Sequence, residues 1–215
     1  MPNWAGASPG WGPHRDDGAG MSGAPFFFGY GSLVNRRTHD YPELAPARVR
    51  GWRRVWRQTD RRALAFLSVH RVADAEIDGL LAAVPGADWA ALDLRESGYR
   101  RVAVPEEALH GLPRRPAQVE IYHVADHLAE EATRPVPLSY LDCVVQGFLE
   151  VHGREGARAF FATTDGWDTP VLDDRAAPLY PRAVATTRAE RALVEEGLGA
   201  VGARVITPQD PQRRR

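Results

Sequence analysis

The residues of this chain best placed to do chemistry form a short glycine-rich run, Gly29-Tyr30-Gly31-Ser32-Leu33, directly after the apolar segment Pro25-Phe26-Phe27-Phe28. A dinucleotide-binding fingerprint requires glycine three residues after Gly31, and a hydrolase nucleophile elbow requires glycine two residues after Ser32. Val34 stands at that position in both cases, so both motifs fail on one residue. What remains is a turn leaving a strand, whose backbone N–H groups can converge on an anion or a polarised carbonyl oxygen. The same glycines equally serve a purely structural tight turn.

Five other groups carry chemical potential. Glu96, in Leu92-Asp-Leu-Arg-Glu96-Ser-Gly98-Tyr99, sits where a short helix should end and a strand begin, either as a solvated carboxylate or as a proton-transfer group. His123 and His127 stand four apart, but His123 follows strand-like Val119-Glu-Ile-Tyr122 and no third ligand is near, which argues against zinc. Cys143 falls in an apolar helical segment without an adjacent histidine and reads as a core thiol. Gly51-Trp52-Arg53-Arg54-Val55-Trp56-Arg57, with Arg61 and Arg62, interleaves cations with rings that could stack on bases. The competing reading is a strand with tryptophans inward and arginines paired to acids. A proline-studded loop, Trp167 to Arg182, is dense in large polar groups; Arg175 and Arg182 either serve function or pin the loop.

The 215 residues hold Lys+Arg 27 against Asp+Glu 28, a net charge of −1, which supplies no global field toward nucleic acid or an anionic membrane. All of those cations are arginine. Without lysine there is no Schiff base, no internal pyridoxal-phosphate anchor and no phosphate loop ending in Gly-Lys. The single cysteine excludes an internal disulfide and a cysteine-rich zinc site.

The elements that must position these groups follow from periodicity. Residues 1–23 read as a flexible extension with no signal-peptide pattern, with Met21 an alternative start, and 208–215 as a frayed tail around one domain, 24–207. No run of 18 apolar residues spans a membrane, and a cytoplasmic location is expected. Strands are expected at 25–30, 49–58, 64–69, 76–84, 99–104 and 118–124. Helices are expected from Trp89 to about Ser97, capped by Asp88, and then near Tyr140–Val151, Arg154–Ala162 and Arg188–Leu198. Strands first and helices last argue α+β, with a mostly antiparallel sheet or barrel flanked by helices.

Phe28-Gly29-Tyr30-Gly31-Ser32-Leu33 after an N-terminal strand, followed roughly sixty residues on by Leu92-Asp-Leu-Arg-Glu96, resembles the gamma-glutamylcyclotransferase family. Ser139-Tyr140, opening the first late helix, is similar to that family's later substrate-contacting tyrosine. The Phe-Gly-Tyr-Gly-Ser-Leu form and the Leu-Arg-Glu run lean toward its glutathione-degrading, ChaC-like branch. The resemblance spans about Pro25 to Gly153 and leaves the Trp167–Arg182 loop outside it. It implies a small β-barrel with flanking helices, and an acyltransferase- or lyase-type cyclisation of a γ-glutamyl amide to 5-oxoproline, with no cofactor and no metal. Glu96 is then the catalytic acid/base, and Tyr30, Gly31, Ser32, Leu33 and Tyr140 bind substrate. The implied partner is a small γ-glutamyl compound such as glutathione, with neither nucleic acid nor membrane. The alternatives are a non-catalytic small-molecule-binding protein of the same fold and an Arg/Trp-rich nucleic-acid-binding protein.

Overall fold

The computed structural model describes residues 23–58, 63–112, 116–124 and 134–208. The extension read at 1–23 (Gly23 apart), Arg61, Arg62, His127 and the tail beyond Pro208 lie outside the described residues.

The aromatic run forms β1 (Phe26–Gly29), buried at every position. A strand covered on both faces needs a continuous apolar run rather than an alternating one, and Phe26-Phe27-Phe28 supplies it. β1 lies in the middle of a seven-stranded sheet containing β2 (Ala45–Arg57), β3 (Phe66–Ala83), β4 (Arg100–Ala103), β5 (Leu109–His110) and β6 (Val119–His123), in the order β4-β6-β1-β3-β2-β5. β1 pairs antiparallel with β3, Phe28 facing Leu81, and parallel with β6, Phe26 facing Val119. The sheet curls into a half-barrel, and the fold is α+β.

One expectation is corrected. The apolar segments 64–69 and 76–84 are not two strands but the ends of a single one, β3. Its middle, from His70 to Glu76, runs beyond the core, and its pairing with β2 shifts register between Arg50 and Trp52. A reading based on apolar runs breaks where a strand leaves the core.

α1 (Ala90–Arg95) is shorter than expected and buries Leu92 against Phe27, Leu33, Ala82, Val84 and Tyr122. Asp88 accepts from the Ala90 amide at 3.2 Å, as a cap should. The two late helical segments form α2 (Leu138–Ala162), interrupted at Gly153. α2 lays Leu141, Val144, Val145 and Phe148 into the main core with Trp52, Trp56 and Leu80. β7 (Val136–Pro137) precedes α2 and β8 (Thr164–Asp165) follows it, β8 joining β2. β7 pairs in a small parallel sheet with β9 (Val171–Leu172) and β10 (Val205–Ile206). α3 (Arg188–Ala200) begins with a reciprocal cap between Thr187 and Glu190 and packs on α2. No helix among the described residues is long and apolar enough to cross a membrane.

Candidate active site

The chain after β1 cannot continue as a strand. It turns into a single 3-10 turn, Ser32–Val34, in which the Val34 amide donates to Gly31 O at 2.9 Å and the Asn35 amide to Ser32 O at 3.1 Å. The amides ahead of them, Gly31 to Leu33, are at the open end of this turn, where helical N–H groups have no acceptor of their own.

Two buried side chains fix the turn. Arg54, fully buried between the rings of Phe148 and Phe160, donates through Nε to Tyr30 O at 2.8 Å, through Nη1 to Thr163 Oγ1 at 2.6 Å, and through Nη2 to Asp78 O. A trans peptide points its C=O and N–H in opposite directions. Holding the Tyr30 carbonyl toward Arg54 therefore turns the Gly31 N–H away from it. On the other side Asn35 donates to Cys143 O at 2.8 Å and Gln146 Oε1 at 3.1 Å, docking the turn on α2.

Glu96 caps the C-terminal end of α1, its amide donating to Leu92 O. Gly98 adopts φ 110°, a conformation side chains resist, and so lets the chain reverse into β4. Asp93 ties α1 to the sheet by accepting from Tyr122 Oη at 2.6 Å and Arg101 Nε at 2.7 Å. Arg95 Nε donates to Glu96 Oε1 at 3.1 Å while its Nη1 and Nη2 hold Thr38 O and Thr38 Oγ1. Both side chains are largely covered, at 9% and 15% exposure. The carboxylate is thus oriented rather than solvated.

The turn and Glu96 meet in one cavity of about 270 Å³. Tyr30, Gly31, Ser32, Leu33, Glu96 and Tyr140 all line it, joined by Arg95, Tyr99, Tyr122 and an apolar wall from Phe66 and Leu67. Tyr30 offers its ring and backbone there, because its hydroxyl is engaged by Tyr122 O at 2.6 Å. Tyr99 Oη likewise donates to Leu67 O at 2.9 Å. Tyr140 differs: its hydroxyl makes no hydrogen bond with any described residue. It stands so close over Gly31 that a Cβ there would lie 2.6 Å from Tyr140 Oη. Burial, with the charge of Glu96 adding to it, pushes the Tyr140 phenol well up, so it stays a protonated donor.

The far wall is Leu179, Tyr180, Pro181 and Arg182, from the loop left open by the sequence. Buried Asp174 latches this loop to the start of α2. It accepts from Ser139 N at 2.8 Å, Ser139 Oγ at 2.6 Å and Leu179 N at 2.8 Å. Arg175 adds a two-point pair to Asp142 at 2.7 and 2.9 Å. The latch seats the Tyr180 ring edge-on to Tyr140, 5.0 Å between centroids, with its hydroxyl at Ser32.

Other candidates resolve physically. Burial pushes the Cys143 thiol up to about 12, which removes its nucleophilic form. His123 ends β6, and no group of three metal-ligating side chains occurs among the described residues. Trp52 and Trp56 are each 3% exposed, so their faces are closed to bases. Arg53 pairs with Asp165 at 2.7 Å, as the inward-tryptophan reading requires, but Arg54 shares the inner face with the tryptophans. Even spacing, Trp52-Arg54-Trp56, was the available signal for Arg54. For Asn35 and Asp174 there was no such local signal.

No family model matches the chain, and no curated protein matches it by sequence. Solved structures do. The crystal structure of YkqA from Bacillus subtilis aligns over 66% of this chain with a TM-score of 0.53 at 17% identity. The chain spans 56% of YkqA's length. An uncharacterized protein from Homo sapiens aligns over 81% of this chain and 99% of its own, with a TM-score of 0.51 at 13% identity. A gamma-glutamyl cyclotransferase aligns over 80% and 99%, with a TM-score of 0.49 at 14% identity. Identities this low speak to architecture and to nothing finer: the α+β half-barrel with flanking helices is one that this chain shares with YkqA and the human protein.

Proposed function

We propose that this chain cyclises a γ-glutamyl amide or peptide, glutathione among the candidates, to 5-oxoproline with release of the amine. The observation that carries the reading is one cavity lined by an oriented carboxylate, Glu96, by the Gly31–Leu33 turn and by Tyr140, whose hydroxyl has no hydrogen-bond partner among the described residues.

The substrate's α-amine attacks its own γ-carbonyl carbon, forming the ring C–N bond as the bond to the leaving nitrogen breaks. The α-ammonium gives up one proton to become the nucleophilic amine. As the ring C–N bond forms, Glu96 takes the second from the ring nitrogen and delivers it to the departing amine. That amine picks up the first from solvent to leave as the ammonium, so one carboxylate serves as base and then acid. The Gly31 amide, aimed by Arg54 through the Tyr30–Gly31 peptide plane, and the Ser32 amide beside it hold the substrate carboxylate or the developing oxyanion. Tyr140 donates from above. Because attack is intramolecular, holding the reacting atoms in line supplies on the order of 7 kcal/mol of the barrier reduction. The reaction uses no enzyme nucleophile, which suits a chain with no lysine and a buried thiol.

The test is direct. Purified protein incubated with glutathione, γ-glutamyl-alanine or γ-glutamyl-lysine releases 5-oxoproline from at least one of them. Binding of these compounds without any cyclisation would favour the ligand-binding alternative instead.

A further inference from the structure

Three charged residues line the cavity among the described residues: Glu96, Arg95 and Arg182. Glu96 and Arg95 neutralise each other, and each nitrogen of the Arg95 guanidinium donates one hydrogen bond, to Glu96 Oε1, Thr38 O and Thr38 Oγ1. Arg182 is different. It makes no ion pair and no hydrogen bond with any described residue, although its loop is latched through Asp174 and Arg175. It is an exposed residue of the cavity wall, near enough to the Tyr180 phenol of the same wall for its charge to act there. The lining therefore carries one positive charge in excess.

A γ-glutamyl amide of a neutral amine brings its own ammonium and carboxylate and has no net charge. A γ-glutamyl amino acid or peptide carries one further carboxylate, on the leaving side. Resting on the cyclisation reading above, we infer that Arg182 selects substrates whose leaving amine bears a carboxylate, pairing with it from the cavity wall. Arginine's planar fork matches a carboxylate in two-point geometry, and a pre-latched loop loses little freedom on engaging it. Leu179 and Pro181, beside Arg182, give the stem of such a leaving group apolar contact.

The experiment compares γ-glutamyl-alanine with γ-glutamyl-alaninamide, equal in shape but lacking the terminal charge, in the wild type, Arg182→Gln and Arg182→Lys. The wild type favours the acid by about tenfold in kcat/KM, the scale of one charge-assisted hydrogen bond at a partly solvated site. Arg182→Gln brings the ratio to within about twofold of one, and Arg182→Lys restores part of it. A wild type that cyclises both compounds equally well overturns the inference and leaves the cyclisation intact. So does an Arg182→Gln protein that slows both in proportion, which would place Arg182 on the glutamyl carboxylate. Should neither compound be cyclised, the function still stands or falls on the glutathione and γ-glutamyl-lysine assays above, and calorimetric titration decides the inference separately. Tighter binding of the acid, lost in Arg182→Gln, sustains it; equal affinities or no binding overturn it.

Discussion

Gly31 is where the site's geometry is tightest, and a single methyl tests it. A Cβ at Gly31 stands 2.6 Å from Tyr140 Oη and 3.0 Å from Leu67 Cδ2, so Gly31→Ala forces a neighbour to move. Leu67 can swing a terminal methyl. Tyr140 has less freedom, with Trp56 at 6.0 Å and Tyr180 at 5.0 Å from its ring centroid. Overpacking of this kind costs about 1–3 kcal/mol, and the confinement of Tyr140 argues for about 2 kcal/mol. In a Tyr140→Phe background the offending oxygen is gone and the next ring atom, Cζ, lies at an ordinary 3.8 Å. Tyr140→Phe alone removes a hydroxyl with no hydrogen-bond partner among the described residues, so its own cost stays within about 0.5 kcal/mol. The double-mutant cycle should then show a coupling of about 1–2 kcal/mol, with Gly31→Ala nearly tolerated once the hydroxyl is removed. Urea unfolding followed by tryptophan fluorescence reads this as a midpoint about 1 M lower for Gly31→Ala, at a slope near 2 kcal/mol/M. A Gly31→Ala cost that is negligible, or identical in both backgrounds, would refute the close approach of Tyr140 to the turn.

Arg54→Met strands Tyr30 O, Asp78 O and Thr163 Oγ1 without their shared donor, and should lower stability by about 3 kcal/mol or more in the same assay. Asp174→Ala removes the acceptor for Ser139 and Leu179; hydrogen exchange at the Leu179 and Tyr180 amides should accelerate, with about 2 kcal/mol of stability lost. His39 Nε2 contacts Leu33 O at 3.0 Å, and burial, with Arg95 adding to it, lowers its pKa below the usual 6.5. The unfolded chain then binds the proton more readily, so stability present above pH 6.5 is lost as pH falls toward the folded value. The drop in Tm between about pH 7.5 and about pH 5 should be smaller in His39→Gln than in the wild type.

Local signals explain which parts of this fold could be read in the sequence. The aromatic run of β1 declares a doubly covered strand because three consecutive phenylalanines put an apolar ring on both faces, and all of them are buried. Thr187 and Glu190 mark the start of α3 by their own reciprocal bonds. The middle of β3 was illegible because it lies outside the core, where apolar periodicity has nothing to report. In the cavity, the Gly29–Leu33 turn and Glu96 stood out separately by residue type, but their meeting and the part of Tyr140 were legible only through the resemblance, since the chain separates the turn from Glu96 by two long strands. Arg54, Asn35 and Asp174 act through contacts made across the fold, and such contacts leave no local pattern. The loop ending at Arg182 was conspicuous by composition, but its place in the cavity wall depends on Asp174 and Ser139 meeting 35 residues apart.

The central claim is that Glu96 exchanges protons with the substrate, and Glu96→Gln tests it most directly. Glutamine keeps the size of the side chain and an Oε1 to accept from Arg95 Nε, so the cavity is preserved. Removing a general acid–base group lowers rate by about 10²–10⁴, and here one group performs two transfers. The expected kcat loss is near or above about 10⁴, with KM for γ-glutamyl substrate little changed. A Glu96→Gln protein that forms 5-oxoproline at close to the wild-type rate would contradict it.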